Sequence, residues 1–158
     1  MGNNLEIKNQ INLLNMIHIS LLVGMLLFLI VVIILIRGDQ LIENRTLDKV
    51  FMILAPLYGL IIMFISRLIY NVSISKYLDG TDLANKIVHY RSAKIVSWAL
   101  VESACFFALV ATILTSNYLY VAVFIFLFGY FIMLRPSRQS LVSELQLSSN
   151  ELDLIKNK

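Results

Sequence analysis

Residues 16–36 read MIHISLLVGMLLFLIVVIILI, 21 consecutive positions without an Asp, Glu, Lys or Arg, and this stretch decides the fold class. Crossing about 30 Å of hydrocarbon takes about 20 helical residues at about 1.5 Å each, and a helix satisfies its own backbone polar groups where water cannot reach them. Three further stretches meet the same requirement. Residues 50–70 are 21 positions interrupted by Arg67 alone, residues 95–114 are 20 interrupted by Glu102 alone, and residues 118–134 are 17 with no charge. The other charged residues all fall outside these four stretches. The sequence therefore predicts an all-α, polytopic membrane protein with four transmembrane helices. The last span is short and is expected to stand untilted or to borrow length from Ser116 and Arg135.

Composition agrees with this reading. Of 158 residues, 59% are apolar and 15% charged, with a mean hydropathy of +0.81, whereas soluble domains carry about 25% charged residues. The apolar run at 16–36 exceeds the 7 to 15 residues of a secretory signal core and has no small-x-small cleavage site before Arg37, so it is expected to be retained as a signal anchor.

Orientation follows from the basic residues of the short loops. With a cytoplasmic amino terminus, the inner side holds Lys8, Lys76, Lys86, Arg91, Arg135, Arg138, Lys156 and Lys158, and the outer side Arg37, Arg45 and Lys49, eight against three. Arg67 and Lys94 lie at the inner ends of spans two and three, where both can snorkel to the same surface. Both termini are expected inside, in a bacterial inner (plasma) membrane. The net charge of +3 then reads as topology and attraction to anionic lipid, with no nucleic-acid partner.

Three organisational units are expected. Residues 1–15 form an N-terminal helical extension, with Ile7, Ile11, Leu14 and His18 on one face. Residues 16–134 form the membrane domain, in which Thr115-Ser116-Asn117 ties spans three and four into an antiparallel hairpin. Residues 135–158 form a cytoplasmic tail that leaves the membrane at Arg135-Pro136-Ser137. Short amphipathic helices are predicted in the 71–94 loop, where Leu83, Ala84, Ile87 and Tyr90 follow helical spacing, and in the tail, where Ser148 and Glu151 form a capping box.

Glu102 is the leading candidate for function, because an ionisable group inside a span is expensive and by default functional. Seven residues beyond Ile95, it lies about 10 Å in from the cytoplasmic side, and Arg67 lies about 4 to 5 Å in. An Arg67–Glu102 ion pair is the expected packing role, with Lys94 as the alternative partner; a protonatable site is the functional one. Ser97, Ala104, Ala108 and Ala111 recur at helical spacing and mark a face where another backbone can approach, as do Gly24 after Ser20 and Gly59 after Ala55. Both faces of span three therefore call for protein contact, within the bundle or from a homo-oligomer or membrane-protein partner. The lone Cys105 excludes paired-thiol redox chemistry and reads as a core residue. His18 and His89 lack the cleared cavity that haem ligation needs and the third ligand that zinc needs. No cofactor, metal or catalytic residue is expected.

The run Ala99-Leu100-Val101-Glu102-Ser103-Ala104-Cys105-Phe106-Phe107-Ala108-Leu109-Val110 resembles the carboxylate helix of rotary ATPase proteolipid subunits. That resemblance implies Glu102 as a proton or sodium carrier, although proteolipid helices are rich in glycine and this chain has six. The whole plan, with its hairpin ending in Leu134-Arg135-Pro136-Ser137 and an amphipathic tail, resembles small uncharacterised four-helix bacterial inner-membrane proteins. The expected function is an accessory, scaffold or assembly subunit of a membrane complex. The alternatives are a proton- or ion-conducting homo-oligomer using Glu102 and, less favoured, a lipid- or quinone-linked membrane enzyme.

Overall fold

The computed structural model describes residues 2–38, 45–76 and 83–136, together with Glu144. The described elements are four helices, α1 Gly2–Arg37, α2 Arg45–Ser75, α3 Leu83–Thr115 and α4 Leu119–Met133. Three of them are long and apolar enough to cross a membrane, over Asn12–Arg37, Arg45–Ser75 and Asn85–Thr115, and α4 is a shorter apolar helix of 15 residues. The helix expected in the 71–94 loop is not a separate element. Chain from Leu83 onward runs unbroken into α3, and α2 continues past Tyr70 to Ser75. The capping box at Ser148 and Glu151 lies outside the described residues.

At the centre is α3, which packs against each of the other helices, while α2 also touches α4. The reason is its pattern of burial. Ile87, Tyr90, Lys94, Ser97, Val101, Ala104, Ala108, Ala111 and Thr115 are all buried, and they advance by alternate steps of three and four, the spacing of a left-handed helix seam. Complementary seams face it. On α1 the seam runs through Leu14, His18, Met25 and Val32, on α2 through Ala55, Gly59, Ile62 and Ser66, and on α4 through Tyr120, Phe124, Leu127 and Phe131. Rings interlock across these seams, with Phe28 edge-on to Phe106 at 5.2 Å and Phe51 edge-on to Phe107 at 5.7 Å.

The outward faces are apolar as well. Ile19, Leu27 and Ile34 of α1, Ile53, Leu60 and Phe64 of α2, and Ile125 and Phe126 of α4 are all exposed. A helix that is apolar all round suits a membrane or the core of a much larger protein.

Polar contacts pin one end of the bundle. Ser116 takes a left-handed φ of 56° and closes α3, its N–H donating to the Thr112 carbonyl at 2.8 Å. The Asn117 side chain then accepts from the Leu119 N–H at 2.9 Å and donates to Asp48 at 3.0 Å. The Tyr120 hydroxyl is shared between the Asp48 carbonyl oxygen at 2.9 Å and its carboxylate at 2.7 Å. A three-residue link thus fastens the α3–α4 hairpin to the start of α2.

Candidate functional site

The opposite end of the bundle gathers the remaining polar chemistry. It is made where the start of α3 meets the ends of α2 and α4 and the first half of α1. Seam spacing carries Lys94 inward, so that the residue is only 6% exposed. A buried ammonium must be paired to be tolerated, and here three groups serve it. The Glu144 carboxylate lies at 3.4 and 3.5 Å from Nζ, and the ammonium stands 4.2 Å from the Tyr70 ring centre and 5.4 Å from that of Tyr90. Glu144 also accepts a hydrogen bond from the Tyr70 hydroxyl. Cation–π attraction is strongest when the cation is desolvated, at about 2 kcal/mol, so the two rings substitute for lost water. Beside the pair, Tyr70, Asn71, Ile74, Ser75 and Glu144 line an open recess of about 230 Å³.

One turn further into the bundle, His18 is 1% exposed and fully packed. Its ring stacks on Phe131 at 4.8 Å with an interplanar angle of 4°, and meets Trp98 at 4.9 Å. Its Nε2 lies 3.1 Å from the Phe131 carbonyl oxygen, so the tautomer protonated at Nε2 donates there, leaving Nδ1 buried without a hydrogen-bond partner among the described residues. The Trp98 indole N–H donates to the Leu134 carbonyl at 3.3 Å, capping the end of α4. Across the α2–α3 seam, Ser66 Oγ lies 2.7 Å from Ser97 Oγ and 3.1 Å from the Ser97 carbonyl oxygen.

The residues singled out from sequence are placed as follows. Glu102 is half-buried on α3, and Arg67 is exposed on α2. Among the described residues no ion pair or hydrogen bond joins them, and Lys94 pairs with Glu144 rather than with Glu102. Arg67 stands next to the seam residue Ser66, and one step along a helix turns a side chain by about 100°, which carries the guanidinium to the outer surface. Ser97, Ala104, Ala108 and Ala111 are buried in the α3 seam. Gly59 is also buried, and a Cβ built there would meet Leu127 at 3.2 Å, whereas Gly24 is exposed with open space around it. Cys105 is buried in the core, and among the described residues no group of three or more His, Cys, Asp or Glu could hold a metal ion.

Sequence reasoning does not find Glu144, Tyr70, Tyr90 or Asp48. Glu144 and Lys94 are 50 residues apart, and Asp48 and Tyr120 are 72 apart, so no local pattern couples them. One signal exists for Lys94, since its spacing from Ile87, Tyr90 and Ser97 puts it on the buried side of the α3 seam. Searches against protein-family models, curated proteins and solved structures find no match to this chain.

Proposed function

We propose that the chain is an integral protein of the bacterial inner membrane that crosses it four times with both termini cytoplasmic, and that it serves as an accessory, scaffold or assembly subunit of a membrane complex. One observation carries this reading. Glu102 is half-buried in the middle of the most central helix, without a hydrogen bond or ion pair among the described residues. A carboxylate at that depth needs a proton or a partner, and the described residues offer neither a cation nor a donor to it. A second protein that supplies the missing donor satisfies the group and gains specificity from it, since an unmatched surface would leave the carboxylate unpaired. The apolar outward faces of α1 and α2 are compatible with lipid and with a helical partner alike.

The proton- or ion-conducting homo-oligomer uses the same carboxylate and follows from the resemblance of residues 99–110 to proteolipid carboxylate helices. Purification from mild detergent followed by mass measurement separates the two. A co-purified partner lost in Glu102→Leu supports the assembly role. A closed homo-oligomer whose proton flux in vesicles is lost in Glu102→Gln supports conduction, and a monomer unaffected by either substitution refutes both.

A further inference from the structure

The carboxylate of Glu144 sits in a built anion site. Lys94 is buried, Tyr70 donates a hydroxyl to the same carboxylate, and the rings of Tyr70 and Tyr90 flank the ammonium. The site is not closed. The recess of about 230 Å³ between Tyr70, Asn71, Ile74, Ser75 and Glu144 opens beside the carboxylate, several times the roughly 30 Å³ that one water occupies in the liquid. Among the described side chains of this end, basic ones outnumber acidic ones, with Arg67, Lys76, Lys86, Arg91, Lys94 and Arg135 against Glu144. Arg91 is committed to Gln10 at 2.6 Å, while Arg67 and Arg135 are exposed.

We propose that the Lys94 ammonium and Tyr70 hydroxyl that hold Glu144, reached through the recess beside it, bind the phosphate of an anionic lipid headgroup, and that the Glu144 carboxylate is an intramolecular stand-in, so that headgroup and Glu144 compete. This rests on the membrane reading above, which puts this end of the bundle at the level of the headgroups. A carboxylate and a phosphate share what the site recognises: negative charge and several acceptor oxygens for an ammonium and a phenol hydroxyl. The exposed arginines and the exposed Lys76 raise the local concentration of anionic lipid.

Trp98, the chain's one tryptophan, lies one helical turn from Lys94 and reports on the site by its emission. The full chain in neutral detergent is titrated with short-chain phosphatidylglycerol, with short-chain phosphatidylcholine and with inorganic phosphate. The expected result is a saturable response to phosphatidylglycerol and none to phosphatidylcholine. Glu144→Gln should tighten phosphatidylglycerol binding by about tenfold, or about 1.4 kcal/mol, because the competitor loses its charge. Lys94→Met should abolish the response and Lys94→Arg should retain it; if the Met variant does not fold, Glu144→Gln and Lys94→Arg decide. A response to inorganic phosphate equal to that of the lipid assigns the site to the free anion. Equal responses to the two lipids overturn the proposal, as does the absence of a response to either anion. An unchanged or weakened affinity in Glu144→Gln overturns it too. Glu102→Gln is carried throughout and leaves this response unchanged whatever it does to assembly, so the two readings fail separately.

Discussion

Enlarging Ala108 tests whether the α3 seam is packed as tightly as its burial indicates. Ala108 is 1% exposed, and the seam neighbours Ala104 and Ala111 are 1% and 0% exposed, so small side chains set the distance to the facing helices over two turns. Ala108→Leu adds three carbon atoms where no side chain can rotate clear. Overpacking a filled core costs about 1 to 3 kcal/mol, and the upper half of that range applies because the adjoining seam positions offer no slack. In a chain of this size 1 kcal/mol moves the melting temperature by about 2 to 4 °C, so the variant should melt about 4 to 12 °C lower. Val110→Leu is the control, since Val110 is 41% exposed on the same helix and its enlargement should fall within about 0.5 kcal/mol. The assay is thermal unfolding in detergent, followed by loss of the monodisperse peak. Equal melting temperatures for Ala108→Leu and Val110→Leu would refute the reasoning, because residues 104–111 could not then form a filled contact.

His18→Leu should be close to neutral, within about 1 kcal/mol, because it removes a buried Nδ1 with no partner among the described residues while the Phe131 carbonyl keeps the Leu134 N–H at 3.1 Å; a loss above about 2 kcal/mol in thermal unfolding would mean that the imidazole is paired. Tyr120→Phe and Asp48→Ala should each destabilise by about 1.5 to 3 kcal/mol, the range for hydrogen bonds to charged groups, and the double variant should lose far less than their sum; an additive cycle would break the link between the hairpin and α2. Arg67→Leu and Glu102→Gln should combine additively within about 0.5 kcal/mol, since among the described residues no ion pair joins the two, and strong coupling in the cycle would contradict that placement. Reporter fusions after Asn117 and after Lys158 should read on opposite sides of the membrane, and a tail reporter on the outer side would overturn the proposed topology.

Much of the seam is legible in the chain's own periodicity. Ser97, Ala104, Ala108 and Ala111 fall on one face because helical spacing is a local property, and their smallness indicates close approach wherever that face points. Glu102 is equally visible as a charge in an apolar run. Its partner is not. Depth along a helix follows from counting residues, which makes Arg67 and Glu102 look compatible, but rotation about the helix axis depends on which face each helix buries. That rotation brings Ser66 to Ser97 at 2.7 Å and leaves Arg67 exposed.

The uninterrupted runs of apolar side chains already mark the all-helical class and the four apolar helices, because a helical backbone satisfies itself locally, but not that the segment from Leu83 continues into α3 as one helix. The sequence also determined the tight turn at 115–117, where three residues allow only an adjacent return. Only the tertiary structure decided which polar groups meet. His18 reaches Phe131 across 113 residues, Tyr70 reaches Glu144 across 74, and Tyr120 reaches Asp48 across 72. The physical reason is the same in each case. A hydrogen bond or ion pair needs its atoms within about 3.5 Å, a precision set by the rotation and offset of whole helices, and those are fixed by the sum of many seam contacts rather than by any one stretch of chain.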